Sequence, residues 1–155
     1  MGETKSRPLT LLPFLLAVVV VAAVGGLAAG NASAQYADLQ QPAFAPPPWL
    51  FGPVWTVLYL MIGIAGWWLW RAAGWGAALT WWVVQLVLNL AWTPLFFAAD
   101  LLGWALVDIV ALLVAVITTI ALSWRPSRRA ALMLVPYLAW VGFATALNAA
   151  IWHLN

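Results

Sequence analysis

The chain has 155 residues, of which 66% are hydrophobic and 6% are charged, and its mean hydropathy is +1.00. So few polar side chains exclude a water-soluble globular domain, which needs a polar surface. The chain has no cysteine, which excludes disulfides, iron–sulfur clusters and thiol nucleophiles. Its six basic residues, with a net charge of +2, form no stripe that follows a nucleic-acid backbone. The composition predicts an integral membrane protein in a lipid bilayer that binds no nucleic acid.

Five apolar runs of roughly 20 residues follow one another, and each is long enough to cross a hydrocarbon core as a helix. A membrane β-barrel is excluded because its strands alternate polar and apolar residues, whereas residues 11–27 are apolar on every side. The predicted fold is therefore an all-α integral membrane protein, a five-transmembrane-helix bundle in one domain over residues 1–155. The predicted helices cover residues 9–29, 49–70, 76–99, 102–124 and 129–154, with a loop over residues 31–48.

The first apolar run also has features of a signal peptide. A short basic head precedes it, and Ala32-Ser33-Ala34 after it has the small-x-small form of a cleavage site. The run is nevertheless longer than a usual signal-peptide core, and Ala22, Gly26 and Gly30 form a repeat of small residues suited to helix packing. The sequence favours a retained helix, with cleavage as the alternative.

The connections between the later helices are short, which predicts antiparallel neighbours in an up-down bundle. With five spans, all basic residues fall on one side of the membrane: Lys5, Arg7, Arg71, Arg125, Arg128 and Arg129. Because basic loops stay on the cytoplasmic side, we expect a cell-membrane protein with a cytoplasmic N-terminus and an external C-terminus.

Thirteen tryptophans are a large excess, and most fit aromatic belts at the two membrane interfaces. The inner belt would hold Trp67, Trp68, Trp70, Trp75, Trp81, Trp82 and Trp124, and the outer one Trp49, Trp104 and Trp152. Trp55, Trp92 and Trp140 instead lie inside predicted helices, where an indole N–H that faces lipid has no partner. Residues at helical spacing share faces with tryptophans: Tyr59 with Trp55, Gln85 and Asn89 with Trp92, Asp108 with Trp104, and Ala144 and Asn148 with Trp140.

Two interpretations of these faces are open. They line one aromatic, sparsely polar cavity that opens outward, or the amides bond across helices and the indoles fill the core. Taken together the residues favour the cavity, because bulky indoles pack poorly between helices. Asp108 is a candidate ligand or proton-relay group, with solvation near the outer interface as the alternative. Pro53, Pro94 and Pro136 either kink their helices and widen the outer half or are tolerated there.

Ordinary acid–base and metal chemistry is not predicted. His153 is the only histidine, and no two of the four acidic residues share a predicted helix at hydrolase-like spacing. The chain also lacks a phosphate-binding loop, which excludes a pump or ATPase. A ligand that carries a metal would therefore be held in the cavity by stacking and apolar contact, without axial ligation.

Ordered motifs in the second to fifth predicted helices are similar to those of one family. They are Phe51-Gly52-Pro53-Val54-Trp55-Thr56, Gln85-x-x-x-Asn89-x-x-Trp92-x-Pro94-x-Phe96-Phe97, Gly103-Trp104-Ala105-Leu106-Val107-Asp108, Pro136-Tyr137-Leu138-Ala139-Trp140 and Leu147-Asn148. The chain resembles the TspO/MBR family, which comprises tryptophan-rich sensory proteins and translocator (peripheral benzodiazepine receptor) proteins.

The resemblance implies a homodimeric five-helix bundle whose cavity binds porphyrins such as protoporphyrin and haem, sterols, and synthetic isoquinoline carboxamide or benzodiazepine-type ligands. By motif, the pocket would include Trp55, Asn89, Trp92, Trp104, Trp140, Ala144 and Leu147. If the protein is a porphyrin-degrading enzyme, the resemblance implies Trp55 and Trp140 as its catalytic residues.

Two departures from the family pattern limit what is carried over. The sterol pattern of animal members requires a tyrosine and then a basic residue after the Leu-Asn pair, and here Leu147-Asn148 leads to Trp152-His153, so sterol binding is not predicted. Trp81 and Trp82 stand near the start of the third helix, where some bacterial relatives place small residues at the dimer interface. The mode of dimerisation is therefore open.

The sequence predicts a membrane receptor or regulator that binds porphyrins and related flat apolar ligands and, in one version, transports them. No cofactor is required, and porphyrin or haem is the ligand. The alternatives are a light- or oxygen-dependent porphyrin-degrading enzyme and a structural membrane protein without a ligand.

Overall fold

The structure is a computed structural model that describes residues 7–28, 30 and 32–155, without the side chains of residues 32 and 33. Within these residues the chain forms α-helices and no strand. The helices are α1 (Leu12–Ala28), α2 (Ala32–Asp38), α3 (Phe51–Ala73), α4 (Ala77–Thr93), α5 (Leu102–Ser123), α6 (Arg128–Met133) and α7 (Val135–Leu154). Short 3₁₀ turns, Pro8–Leu11 and Pro48–Leu50, precede α1 and α3.

Five helical segments of the described chain are long and apolar enough to cross a membrane. They are Pro8–Ala28, Pro48–Ala73, Ala77–Ala98, Leu102–Ser123 and Arg128–Leu154. The five predicted helices are confirmed to within a few residues. Gly74 ends α3 with a φ of 67°, a value that favours glycine, and its N–H donates to the Trp70 carbonyl at 2.7 Å. The predicted last residue of the first helix, Ala29, lies outside the described residues, as do Lys5 and Asn31.

The sequence was wrong about the connector between α1 and α3, which is not a continuous loop over residues 31–48. It contains α2, whose sequence ASAQYAD includes good helix formers. Tyr36 anchors this short helix, because its side chain is buried and its hydroxyl donates to the Pro46 carbonyl at 3.0 Å.

Two prolines disturb their helices and a third does not. The fifth predicted helix is interrupted at Leu134, between α6 and α7, because Pro136 has no N–H to donate to the preceding turn. Pro94 opens a π-helical turn, Pro94–Ala98, at the end of α4, in which the Ala99 N–H donates to the Pro94 carbonyl at 2.9 Å. Pro53 lies in the first turn of α3, where a missing N–H is tolerated.

The helices pack as a bundle whose order differs from the order in the chain. α1 contacts α3 and α4, α4 contacts α5, α5 contacts α7, and α6 contacts α3. Around the bundle the order is therefore α1, α3, α6 with α7, α5 and α4, and the consecutive helices α3 and α4 share only a small contact. The first helix thus lies between α3 and α4 on one side of the bundle.

Glycines of α3 provide two close contacts. A Cβ at Gly63 would lie 3.1 Å from Leu15 Cδ2 and 3.3 Å from Val18 Cγ2 of α1. A Cβ at Gly66 would overlap the indole of Trp82, whose N–H donates to the Ile62 carbonyl at 2.9 Å. Trp82 is therefore a buried core residue, and its assignment to the inner aromatic belt was wrong.

The arginines gather at one end of the described bundle. The Arg129 guanidinium stacks on Trp68 of α3 at 5.0 Å, so the start of α6 meets the end of α3. The Trp67 N–H donates to the Thr10 hydroxyl at 2.8 Å, which brings the start of the first apolar segment to the same end. This arrangement agrees with the predicted clustering of basic residues.

The packing around Gly66 predicts that Gly66→Ala destabilises the protein. The added methyl group overlaps the Trp82 indole, and overpacking of this kind lowers the free energy of unfolding by about 1–3 kcal/mol. Gly142→Ala on α7 is the matched control, because its Cβ meets no atom within 4 Å. Thermal unfolding in detergent measures both variants, and equal midpoints for the two would contradict the packing described.

Candidate functional site

A cavity of about 510 Å³ lies between α1, α3 and α4. The side chain of Tyr36 reaches it from α2. Its other lining residues are Leu15, Val18, Val19, Ala22, Gly25 and Gly26 of α1, Pro48, Phe51, Gly52, Trp55, Thr56, Tyr59 and Leu60 around and within α3, and Thr93 and Phe97 at the end of α4. None of these residues is charged, and the volume is in the range of small-molecule sites.

Small residues of α1 leave the space for this cavity. A Cβ at Gly26 would meet no atom within 4 Å, so this position faces open space. One residue earlier, a Cβ at Gly25 would lie 3.6 Å from the Thr93 hydroxyl oxygen, which marks the contact between α1 and α4. The small-residue repeat thus lines the cavity at Ala22 and Gly26, whereas the sequence had assigned it to helix packing.

Aromatic rings form the opposite wall. Trp55 stacks on Tyr59 with centroids 5.4 Å apart and an interplanar angle of 30°. Behind this pair, Trp140 of α7 meets Trp55 edge-on at 6.4 Å and Phe51 at 5.9 Å. Offset and edge-on geometries are the favourable ones for aromatic pairs. The wall is therefore a set of interlocked rings rather than isolated side chains.

A chain of hydrogen bonds runs from this wall into the bundle. The Tyr59 hydroxyl donates to Asn89 Oδ1 at 2.9 Å, and Asn89 Nδ2 donates to the Tyr137 oxygen at 2.7 Å. The Tyr137 hydroxyl donates to Gln85 Oε1 at 2.8 Å, and Gln85 Nε2 donates to the Trp82 carbonyl at 2.8 Å. The amides of Gln85 and Asn89 thus connect α3, α4 and α7, and both side chains are buried.

A second buried link joins α4, α5 and α7. The Trp92 N–H donates to Asn148 Oδ1 at 3.0 Å, and Asn148 Nδ2 donates to the Leu102 carbonyl at 3.0 Å. Ala144 and Leu147 are buried core residues beside this link. The geometry at these positions is that of interhelical hydrogen bonding and packing, the alternative that the sequence left open.

The eleven predicted site residues therefore do not lie around one cavity in the structure. Trp55 and Tyr59 line the cavity, and Trp140 lies directly behind Trp55. Trp104 is exposed and lies away from the cavity, and Asp108 is half-buried. One carboxylate oxygen of Asp108 and the N–H of Trp140 are buried without a hydrogen-bond partner.

Sequence reasoning missed several lining residues, of which Tyr36, Thr93 and Phe97 are the most informative. Thr93 follows Asn89 at a spacing of four and shares its helix face, which is a signal that the sequence contained. Tyr36 had no such signal, because its position depends on the fold of the connector. The residues of α1 were recognised as small but not as the border of a space.

Two sets of contacts hold the connector between α1 and α3 in place. The Tyr36 hydroxyl donates to the Pro46 carbonyl, the Tyr36 ring meets Phe51 edge-on at 5.4 Å, and burial raises the pKa of Tyr36. At the other side, the Gln40 N–H donates to Asn155 Oδ1 at 3.1 Å and Asn155 Nδ2 donates to the Gln40 carbonyl at 3.0 Å. The connector therefore lies against the bundle, with Tyr36 at the cavity.

Comparison with known proteins decides the family. The sequence model of the TspO/MBR family matches residues 14–153. The chain belongs to the TspO/MBR family. The resemblance seen in its motifs is thereby confirmed, and so is its nature as a membrane protein with transmembrane helices. Membership supports a regulatory or sensory role at the membrane.

Relatives in the TspO/MBR family come from all three domains of life. The tryptophan-rich protein TspO of Archaeoglobus fulgidus is 42% identical over 150 residues, which are 95% of this chain and 97% of the relative. The human translocator protein is 41% identical over 125 residues, 77% of this chain and 74% of the relative. The tryptophan-rich sensory protein of Cereibacter sphaeroides is 33% identical over 144 residues, 93% of this chain and 90% of the relative.

The hydrogen-bond chain predicts that Asn89→Leu destabilises this TspO/MBR protein. The change leaves the half-buried Tyr59 hydroxyl without its acceptor and removes a donor to the buried Tyr137 hydroxyl, which costs about 1–2 kcal/mol in the free energy of unfolding. Thr145→Val is the control, because the Thr145 hydroxyl bonds only to the Val141 carbonyl of its own helix. Unfolding in detergent measures both, and an Asn89→Leu protein as stable as the control would contradict this role.

The contacts of Asn155 predict that Asn155→Ala loosens the connector. The change removes both hydrogen bonds to the Gln40 backbone, so amides of residues 36–46 exchange several-fold faster with deuterium. Thr145→Val on α7, the helix that ends directly before Asn155, again serves as the control. Unchanged exchange of the connector in Asn155→Ala would show that other contacts hold it.

Proposed function

We propose that this TspO/MBR protein is a membrane receptor or regulator that binds porphyrins, such as protoporphyrin and haem, and related flat apolar ligands. The site is the cavity between α1, α3 and α4. The observation that carries the proposal is the pairing of an aromatic wall, Trp55 stacked on Tyr59, with a facing surface of small residues at Ala22 and Gly26. A flat macrocycle stacks on such a wall, and the small residues leave room for its thickness.

The electrostatics of the cavity favour one orientation of a porphyrin. The ring is apolar, whereas its propionate groups are charged and costly to bury without a partner. Since none of the described residues that line the cavity carries a charge, the ring enters the cavity and the propionates stay at the connector end, near the membrane surface. Isoquinoline carboxamide and benzodiazepine-type compounds have flat apolar rings without this constraint and fit the same wall.

No lining residue suits axial ligation of a haem iron. The two lining tyrosines use their hydroxyls elsewhere, Tyr36 on the Pro46 carbonyl and Tyr59 on Asn89. Within the described part of the chain, the lining includes no histidine, methionine or lysine. Stacking and shape therefore supply the affinity, and a porphyrin without metal suits the cavity as well as haem does.

The orientation and assembly of the protein are part of the proposal. The arginines gather at the end of the bundle opposite the connector, and by the positive-inside rule this end faces the cytoplasm of a cell-membrane protein. The cavity then lies in the outer half of the bilayer. The protein forms a homodimer, as expected from the family resemblance, and the name of the human relative, translocator protein, adds transport of the ligand to the proposed role.

A second candidate function is light- or oxygen-dependent degradation of the bound porphyrin. The observation that favours it is the contact between Trp55, which lines the cavity, and Trp140, whose N–H is buried without a partner. Binding in the dark without a new product supports a receptor, whereas an oxidised product that forms only in light or oxygen supports this second function.

The test is a titration of nanodisc-embedded protein with protoporphyrin IX in the dark, followed by tryptophan fluorescence. We expect saturable quenching in the wild type and at least tenfold weaker binding in Gly26→Phe, because the added ring fills open space at the cavity. Gly142→Phe is the matched control: Gly142 also faces open space but does not line the cavity.

Unsaturable quenching that is equal in all three proteins would mean partition of protoporphyrin into the bilayer. That result would reject the proposal and favour the alternative function, a structural membrane protein that binds no ligand.

A further inference from the structure

The mouth of the cavity opens onto the side of the bundle. Among its lining residues, Val19 of α1 is 59% exposed and Leu60 of α3 is 52% exposed. Both lie near the middle of their apolar segments, Pro8–Ala28 and Pro48–Ala73. A residue exposed at this depth of a transmembrane helix faces hydrocarbon. The gap between α1 and α3 is therefore an opening to lipid.

The cavity is also elongated along the helix axes. Its lining residues run from Leu15 to Gly26 on α1 and from Phe51 to Leu60 on α3. At the rise of an α-helix these stretches are about 16 Å and about 14 Å long. One leaflet of a bilayer contributes about 15 Å of hydrocarbon, half of the usual core. The cavity is thus a slot that spans one leaflet, from the middle of the bundle to the connector.

We propose that this slot holds one acyl chain of a phospholipid from the leaflet on the connector side. At the depth of Val19 and Leu60, acyl chains are the molecules that surround the helices. An empty slot of this size would deny its lining atoms their van der Waals partners. The uncharged lining accepts a hydrocarbon chain along its whole length, while the headgroup stays at the membrane surface beside the connector.

Lipid occupancy goes beyond the proposed function, since it holds whether or not a porphyrin binds. Where a porphyrin does bind, it displaces the chain from the wall formed by Trp55 and Tyr59. A second copy of this chain that covered the gap between α1 and α3 would close the mouth to lipid, and in the first experiment below that arrangement would confine the adducts to α5.

The first experiment is photo-crosslinking in nanodiscs that contain phosphatidylcholine with a diazirine in its acyl chain. Peptide mass spectrometry should find adducts at two places in the wild type: on the lining residues Tyr59 and Phe97, and on Val107 and Val114, exposed residues of α5 away from the cavity. We expect Gly26→Phe to reduce the first set at least fivefold relative to the second, and Gly142→Phe to change neither. Adducts confined to α5, or cavity adducts that persist in Gly26→Phe, would overturn the proposal.

The second experiment alters the mouth of a protein that has already folded. Because the chain has no cysteine, Leu60→Cys and Val57→Cys each introduce a single thiol on α3. The two positions are similarly exposed, at 52% and 55%, but only Leu60 lines the cavity. A bulky lipid-soluble maleimide on residue 60 should remove the cavity adducts, and the same label on residue 57 should not. The label is attached in detergent, before reconstitution, and its stoichiometry is checked by mass, because a thiol in hydrocarbon ionises poorly and reacts slowly. Cavity adducts that persist with the label on residue 60 would overturn lipid occupancy.

The outcomes separate this proposal from the porphyrin site. Saturable protoporphyrin binding by protein without cavity adducts would reject lipid occupancy alone. Cavity adducts in protein that shows no saturable protoporphyrin binding would reject the proposed function alone.

Discussion

The hydrocarbon core of a bilayer offers no partner to a polar group, and this constraint organises the interior of the protein. Asn89 meets it by accepting from Tyr59 and donating to Tyr137, which joins α3, α4 and α7 through side chains. The polar groups of these three side chains are therefore hydrogen-bonded to other residues of the bundle. The region between these helices is therefore packed and hydrogen-bonded, and the open cavity lies on the side of α1.

A cavity remains beside α1 because this helix contacts α3 and α4 at two separate points along its length. Near its middle, Leu15 and Val18 press on Gly63 of α3, and nearer the connector Gly25 meets Thr93 of α4. Between these contacts α1 presents small and apolar side chains, which make no polar bond across the gap. An aromatic wall on α3 and a smooth surface on α1 thus face each other, and the gap between them opens to lipid.

The sequence predicted the helices well and only part of the cavity lining, Trp55 and Tyr59, for physical reasons. Length and apolarity alone determine which segments cross a bilayer, but helical periodicity does not determine which helices become neighbours. The stripe of Gln85, Asn89 and Trp92 looks the same whether it faces a ligand or, as here, Tyr137 and Asn148. Whether a tryptophan is buried or lies at the membrane interface likewise depends on its neighbours in the fold. The position of Trp82 in the sequence does not show that its indole packs against a glycine of α3.

A cavity open to lipid also changes which interaction selects the ligand. When a ring displaces an acyl chain, the chain returns to hydrocarbon, so the hydrophobic contributions of the two occupants largely cancel. What remains is the difference in contact with the wall, where each aromatic pair adds about 0.5–1.5 kcal/mol beyond burial. Trp55 and Tyr59 offer that contact to a flat ring and not to a flexible chain. Under the proposed function, the stacked wall is therefore the source of selectivity, and the packed network behind it keeps the wall in place.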